Sequence, residues 1–168
     1  MQDITVIKLG GSLITDKSKP YTLREETIVA VCAEIKEAMD SNLGGRFVIV
    51  QGVGSYGHPP VIQHKLYKGF IDPAQLLPLS KTQSKVDELR AALIKRLQDN
   101  DIPVIHIAAS SVFTSTKAKL DPYNLKPLTG YMSVGMVPLI SFSPRMLKAS
   151  MIKTLKSSRT LSFTSIFI

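Results

Sequence analysis

Apolar positions along the chain fall into short blocks separated by longer amphipathic runs. Ile4 to Leu9 is apolar apart from Thr5 and Lys8, is rich in β-branched residues and stops at Gly10-Gly11, which predicts a central strand. Phe47 to Val50, Val104 to Ala108 and Met136 to Ser141 read the same way. Between the first two blocks, Leu23, Ile28, Val31, Ile35 and Met39 fall near helical spacing. Thr22 is placed as an N-cap, Glu25 stands at capping-box distance, and Leu43-Gly44-Gly45 marks the stop. Ser80 to Asn100 is the clearest long helix, with Val86, Leu89, Leu93 and Leu97 on one face. Val61 to Tyr67 predicts a shorter helix, opened by Pro59-Pro60, while 69–78 and 110–136 read as loop or irregular chain. Strands alternating with helices over this length predict an α/β fold with a parallel sheet and helices on both faces.

Two glycine turns follow two of these strands. Val50 to Pro60 reads Val-Gln-Gly-Val-Gly-Ser-Tyr-Gly-His-Pro-Pro, so backbone without Cβ atoms runs toward the positive end of a helix, an arrangement suited to phosphate. Ser55 adds a hydroxyl and His58 an imidazole. Gly52, Gly54 and Gly57 also match the Gly-x-Gly-x-x-Gly pattern of a dinucleotide site. That reading needs an acid at the end of a second strand. Asp72 has the spacing but follows no strand, so phosphate ranks above NAD. The bland alternative is a turn that uses glycine for its dihedrals alone. Lys8 stands at the end of the first strand, beside Gly10-Gly11 and Ser12, where the carboxyl edge of an α/β sheet opens to ligands; a solvated edge lysine is the competing reading. Lys17, in the loop that follows, is close enough in sequence to fold over the same anion. His106 reads as a core histidine and His64 as a surface or capping one.

At 168 residues, with 44% hydrophobic and 20% charged content, the chain is a soluble globular protein with one real core. Six of its net +8 charges lie in 122–168, which holds no acid, leaving +2 for the rest. A nucleic-acid domain would spread such charge over a folded face, so that partner is disfavoured. The single cysteine, Cys32, sits within the first predicted helix, as a packing residue in a reducing compartment would. Asp3 and Lys8 bracket a short apolar run, which fits neither a signal peptide nor a membrane span. A cytoplasmic protein with no membrane partner is the expectation.

Two motifs, Ile7-Lys8-Leu9-Gly10-Gly11-Ser12-Leu13-Ile14-Thr15-Asp16-Lys17 and Gly52-Val53-Gly54-Ser55-Tyr56-Gly57-His58-Pro59, resemble those of the amino-acid kinase superfamily, and more narrowly the isopentenyl phosphate kinases. The second, with its histidine, is the more specific. The resemblance covers roughly residues 1 to 140 and implies a three-layer αβα sandwich. It implies transfer of the ATP γ-phosphoryl group, with Mg2+, to a small phosphate monoester such as isopentenyl phosphate. By that analogy Lys8, Leu9, Gly10, Gly11, Ser12 and Gly54 hold ATP, Lys17 and His58 are catalytic, and Val53, Gly54, Ser55 and His58 meet the acceptor. No metal ligand is implied among the side chains. Gln51 stands where such kinases more often have histidine.

From Ser141 the resemblance ends. Residues 141–168 form a basic, Ser-rich tail that departs from the family pattern, so 1–140 is expected to be the N-terminal part of a kinase-like domain, incomplete at its C-terminus. The tail has too little regular apolar pattern to cover an open sheet edge, which would leave the chain prone to association, a homodimer included, and without turnover. The alternatives are another kinase of the superfamily, or a non-catalytic binding protein that uses Lys148, Lys153 and Lys156 on an acidic surface.

Overall fold

The fold is built on a parallel sheet whose middle strands are the apolar blocks of the sequence. A computed structural model describes residues 4–41, 45–116, 119–120, 123–141 and 163–167. In chain order these form β1 (Ile4–Leu9), α1 (Gly11–Ile14), α2 (Glu25–Asp40), β2 (Arg46–Gln51), α3 (Gly54–Gln63), α4 (Leu76–Gln98), β3 (Val104–Ala108), β4 (Ser115–Thr116), β5 (Lys119–Leu120), α5 (Lys126–Ser133), β6 (Val137–Ser141) and β7 (Phe163–Phe167). The main sheet runs β3-β6-β2-β1-β7 with every pairing parallel, and β4-β5 is a separate antiparallel pair.

Strand alternation sends side chains to two cores. Ile7, Leu9, Phe47, Ile49, Val104 and Leu139 pack against Ile28, Val31 and Ile35 of α2 and Leu89, Leu93 and Leu97 of α4. On the opposite face, Ile4, Val6, Val48, Val50 and Ile140 meet Leu128 and Met132 of α5, together with Val112 and Phe113. The result is the αβα layering expected. Each fully buried leucine contributes about 1.5–3 kcal/mol by leaving water. Cys32 is buried on α2, and burial pushes its thiol up to about 11, in keeping with a packing role.

Several elements differ from their predicted form. Thr22 does not cap α2: its hydroxyl donates to Pro20 O (3.0 Å), its carbonyl accepts from Asp16 N–H (2.9 Å), and Leu23 bridges Thr15. These tertiary bonds hold 22–23 extended, so the helix starts at Glu25, whose carboxylate pairs with Arg96 (3.1 Å) instead. The Leu43-Gly44 stop lies outside the described residues. Helix α3 begins at Gly54, not after the prolines, so Pro59 and Pro60 lie inside it, where they remove two N–H donors, and the helix runs on to Gln63. Helix α4 begins at Leu76 because Asp72 and Gln75 form a capping box on the turn before it. Pro78 falls in the first turn of α4, where no intrahelical N–H bond is lost. Asp72 thus caps a turn and ends no strand, which removes the dinucleotide reading. Helix α5 was hidden in sequence by Gly130; the cues were Asn124, whose Oδ1 accepts from Lys126 N–H (3.0 Å), and Pro127 in the first turn.

The largest correction concerns the tail. Its final positions form β7, which pairs with β1 from Ile4↔Phe163 to Lys8↔Phe167 and covers that edge. Parallel pairing needs only extended backbone in register, so the missing apolar pattern did not prevent it. Residues 142–162, with Lys148, Lys153 and Lys156, lie outside the described residues.

His106, on β3, is half-buried and shares a 2.7 Å hydrogen bond with Ser141 Oγ. Burial first, and then Arg90, hold its imidazole below the ordinary 6.5. A lowered histidine pKa favours the neutral ring in the fold, so its contribution is present above the unfolded value and is lost as pH falls through the folded one. Melting temperature should therefore fall more for the wild-type chain than for His106→Gln between about pH 7.5 and about pH 5.5. Parallel curves for the two proteins would show that His106 does not carry this dependence.

Candidate functional site

Pairing of β1 with β2 places their carboxyl ends level, with Leu9 opposite Gln51. The turns that follow therefore lie side by side. Gly52 N–H donates to Leu9 O (2.8 Å), stitching the second turn to the end of the first strand. The two turns touch backbone to backbone. A Cβ on Gly11 would collide with Gly54 N and Cα, and one on Gly52 would stand 2.5 Å from Gly11 N. Gly54 adopts φ +47, the left-handed region, with Thr15 Oγ1 where its Cβ would be. Both sequence motifs thus form one structure.

Thr15 is fully buried at the end of α1 and was not singled out among the sequence candidates. Its hydroxyl donates to Gly11 O (2.6 Å) and accepts from Ser55 N–H (2.9 Å). Ser55 Oγ is itself buried and has no hydrogen-bond partner among the described residues, and the same holds for both amide atoms of Gln51, which is 1% exposed. Beyond α1, Asp16 Oδ1 accepts from Ser18 N–H (2.8 Å) and Ser18 Oγ (2.7 Å), which shapes the loop that carries Lys17. The Ser18 hydroxyl bond is the main reason the Asp16 carboxyl sits below its usual value.

A cleft of about 380 Å³ opens over the joined turns, lined by Gly11, Ser12, Lys17, Gly54, Ser55, His58 and Pro59. Six predicted site residues meet there, on three separate segments. Lys17, His58 and Ser12 are exposed to it, and among the described residues no carboxylate lines it, a charge balance that favours an anion over a cation. The starts of α1 and α3, the ordinary place for phosphate on a helix, border the cleft, although Ser55 N–H is taken by Thr15 Oγ1 (2.9 Å) and Tyr56 N–H by Val53 O (3.1 Å).

The other predicted residues act differently. Leu9 sends its side chain into the α2–α4 core and supplies only its carbonyl, to Gly52. Val53 is buried against Gly57, which a Cβ would force into the valine methyls. Gly10 is the N-cap of α1 and its carbonyl accepts from Leu13 and Ile14 N–H. Lys8 lies half-buried on the α5 side of β1, the face of Ile4 and Val6. A second cleft, about 430 Å³, lies between α3 and α4 and is lined by Tyr21, Pro60, His64, Leu77, Lys81 and Lys85 among others. It is the larger, but neither glycine turn reaches it, so the chemistry is assigned to the smaller one.

Residues 3–142 match the sequence model of the amino acid kinase family. The chain belongs to the amino acid kinase family. It is 30% identical over 146 residues to isopentenyl phosphate kinase of Methanocaldococcus jannaschii, covering 82% of this chain and 54% of that protein. The enzyme of the same name from Methanothermobacter thermautotrophicus is 27% identical over 140 residues, covering 80% and 51%. This amino acid kinase chain therefore spans about half the length of the curated relatives it matches. Its fold is shared with solved isopentenyl phosphate kinases. An X-ray structure of one superposes with TM-score 0.82 at 22% identity, covering 98% of this chain and 70% of that one. The product complex of T. acidophilum isopentenyl phosphate kinase gives 0.78 at 20% identity, covering 98% of this chain and 69% of that one.

The interlocked turns give a paired expectation. Gly54→Ala places Cβ on Thr15 in a left-handed backbone, a cost of about 1–2 kcal/mol from the backbone alone before any clash. Gly130→Ala, in α5 with open space around it, should stabilise by about 0.5–1 kcal/mol. Urea unfolding of both variants checks this. Equal and small effects would mean that the turns are not packed as described.

Proposed function

We propose that this chain carries the acceptor-binding part and part of the nucleotide site of an ATP-dependent kinase that phosphorylates a small phosphate monoester, with isopentenyl phosphate as the acceptor and isopentenyl diphosphate as the product. One observation carries the reading: Lys17, His58 and both glycine turns line one cleft that holds no acid among its described lining residues. The names of the relatives supply the acceptor. Residues 1–140 are the kinase-like part of the chain, and 141–168 the divergent tail.

In the reaction, an oxygen of the acceptor phosphate attacks the γ-phosphorus of ATP, the bond to the β–γ bridging oxygen breaks, and ADP leaves. Two phosphates repel each other, so the barrier falls mainly through positioning and charge neutralisation. Gly10, Gly11 and Ser12 cradle the nucleotide phosphates at the start of α1, with Lys8 beside them. His58 and the Gly54–Ser55 end of α3 hold the acceptor phosphate, and Lys17 neutralises the group in transfer. Ser55 serves through its hydroxyl, since its N–H is taken by Thr15. Among the described residues no three or more His, Cys, Asp or Glu come together. Mg2+ enters in this reading as the counter-ion of ATP. None of the described helices is long and apolar enough to cross a membrane. The setting implied by ATP and a buried free thiol is the cytoplasm, and a homodimer is compatible with the reading.

The test is a coupled ATPase assay with isopentenyl phosphate, run on the 168-residue chain and on the same chain continued by a second half like those of its relatives. Turnover is expected from the continued chain. Neither protein turning over while both are folded would remove the kinase reading. Within an active protein, His58→Ala should weaken the acceptor about tenfold to a hundredfold, the worth of a charge-assisted hydrogen bond, and leave ATP nearly unchanged. Lys17→Ala should lower kcat with little change in either affinity. Equal loss of both ligands in His58→Ala would make that histidine structural.

A further inference from the structure

The glycine turns are forty residues apart in sequence, and a single hydroxyl ties them together. Thr15 Oγ1 gives its hydrogen to Gly11 O (2.6 Å) in the first turn and takes one from Ser55 N–H (2.9 Å) in the second. Thr15 is completely buried, and its bond with Ser55 N–H is shielded from water. It also occupies the place where Gly54 would carry a Cβ, so the side chain sets how closely the turns approach as well as bonding them. Leu23, bridged to Thr15, anchors the far side of the Lys17 loop to the same point.

We propose that Thr15 is a positioning residue that fixes the distance between the two anion-holding turns, so that two linked or reacting phosphoryl groups are held at once. This rests on the phosphoryl-transfer reading of the cleft but not on the identity of the acceptor. Its consequence is selective. An anion held by one turn tolerates a small change in their separation, whereas an anion spanning both does not. Ordinary destabilisation makes no such distinction, since it removes all binding in proportion to the unfolded fraction.

The experiment is calorimetric titration of the 168-residue chain with inorganic pyrophosphate and with orthophosphate, using wild type, Thr15→Val and Thr15→Ser. Valine keeps the shape and removes both bonds; serine keeps the hydroxyl and drops the methyl. Wild type should prefer pyrophosphate. Thr15→Val should lose about tenfold for pyrophosphate, as expected when a buried N–H is left unpaired, and less than about twofold for orthophosphate. Thr15→Ser should keep most of the preference. The proposal is overturned by equal losses for both anions, by unchanged pyrophosphate binding in Thr15→Val, by a wild type that does not prefer pyrophosphate, or by loss of the preference in folded Thr15→Ser, which also decides the matter should the valine variant fail to fold. A failure of the isopentenyl phosphate assay leaves these outcomes untouched.

Discussion

Everything at the candidate site depends on two segments of main chain lying against each other, glycine to glycine, with the Thr15 side chain bonded to both. Gly11, Gly52 and Gly54 meet at distances a Cβ would forbid, and that contact exists because β1 and β2 pair in parallel with Leu9 level with Gln51. A slip of one residue in that register would turn every strand side chain to the wrong core and separate the turns. The two hydrophobic faces of the sheet therefore protect the site indirectly, by making any other register expensive.

The electrostatic character of the cleft comes from what is missing from its walls as much as from what is there. Lys17 and His58 reach it from different segments, while Asp16, next to Lys17 in the chain, has its carboxylate engaged by Ser18. Positive side chains and the starts of two helices therefore face one cleft, with no carboxylate among its described lining residues. On the α4 side of β2, Gln51 keeps two buried amide atoms without partners, an uncommon expense in a folded chain and a sign that this end of the sheet is not built for packing alone.

Pairing of β7 with β1 changes the view of the chain's last residues. Its backbone satisfies the edge of the strand that leads into the first glycine turn, so the segment least like a kinase in sequence lies beside the element on which the site is founded. Neither the serines nor the bases of the tail made that visible.

By itself the sequence determined four of the five strands of the main sheet and the layering. Ile4–Leu9 and Val104–Ala108 are legible to the residue because continuous β-branched runs between breakers have few alternatives. Glycine spacing, Lys17 and His58 pointed to one place, and the structure brings them to one cleft. Only the tertiary structure decided that α2 starts at Glu25 after Thr22 is drawn into loop bonds, that α3 starts at Gly54 ahead of its prolines, that β7 finds β1, and that Thr15 joins the two turns. Local pattern reports on neighbours within a few positions. A hydroxyl bonding a backbone N–H forty residues away leaves no periodicity to read, and competing bonds of that kind move helix ends against their propensities.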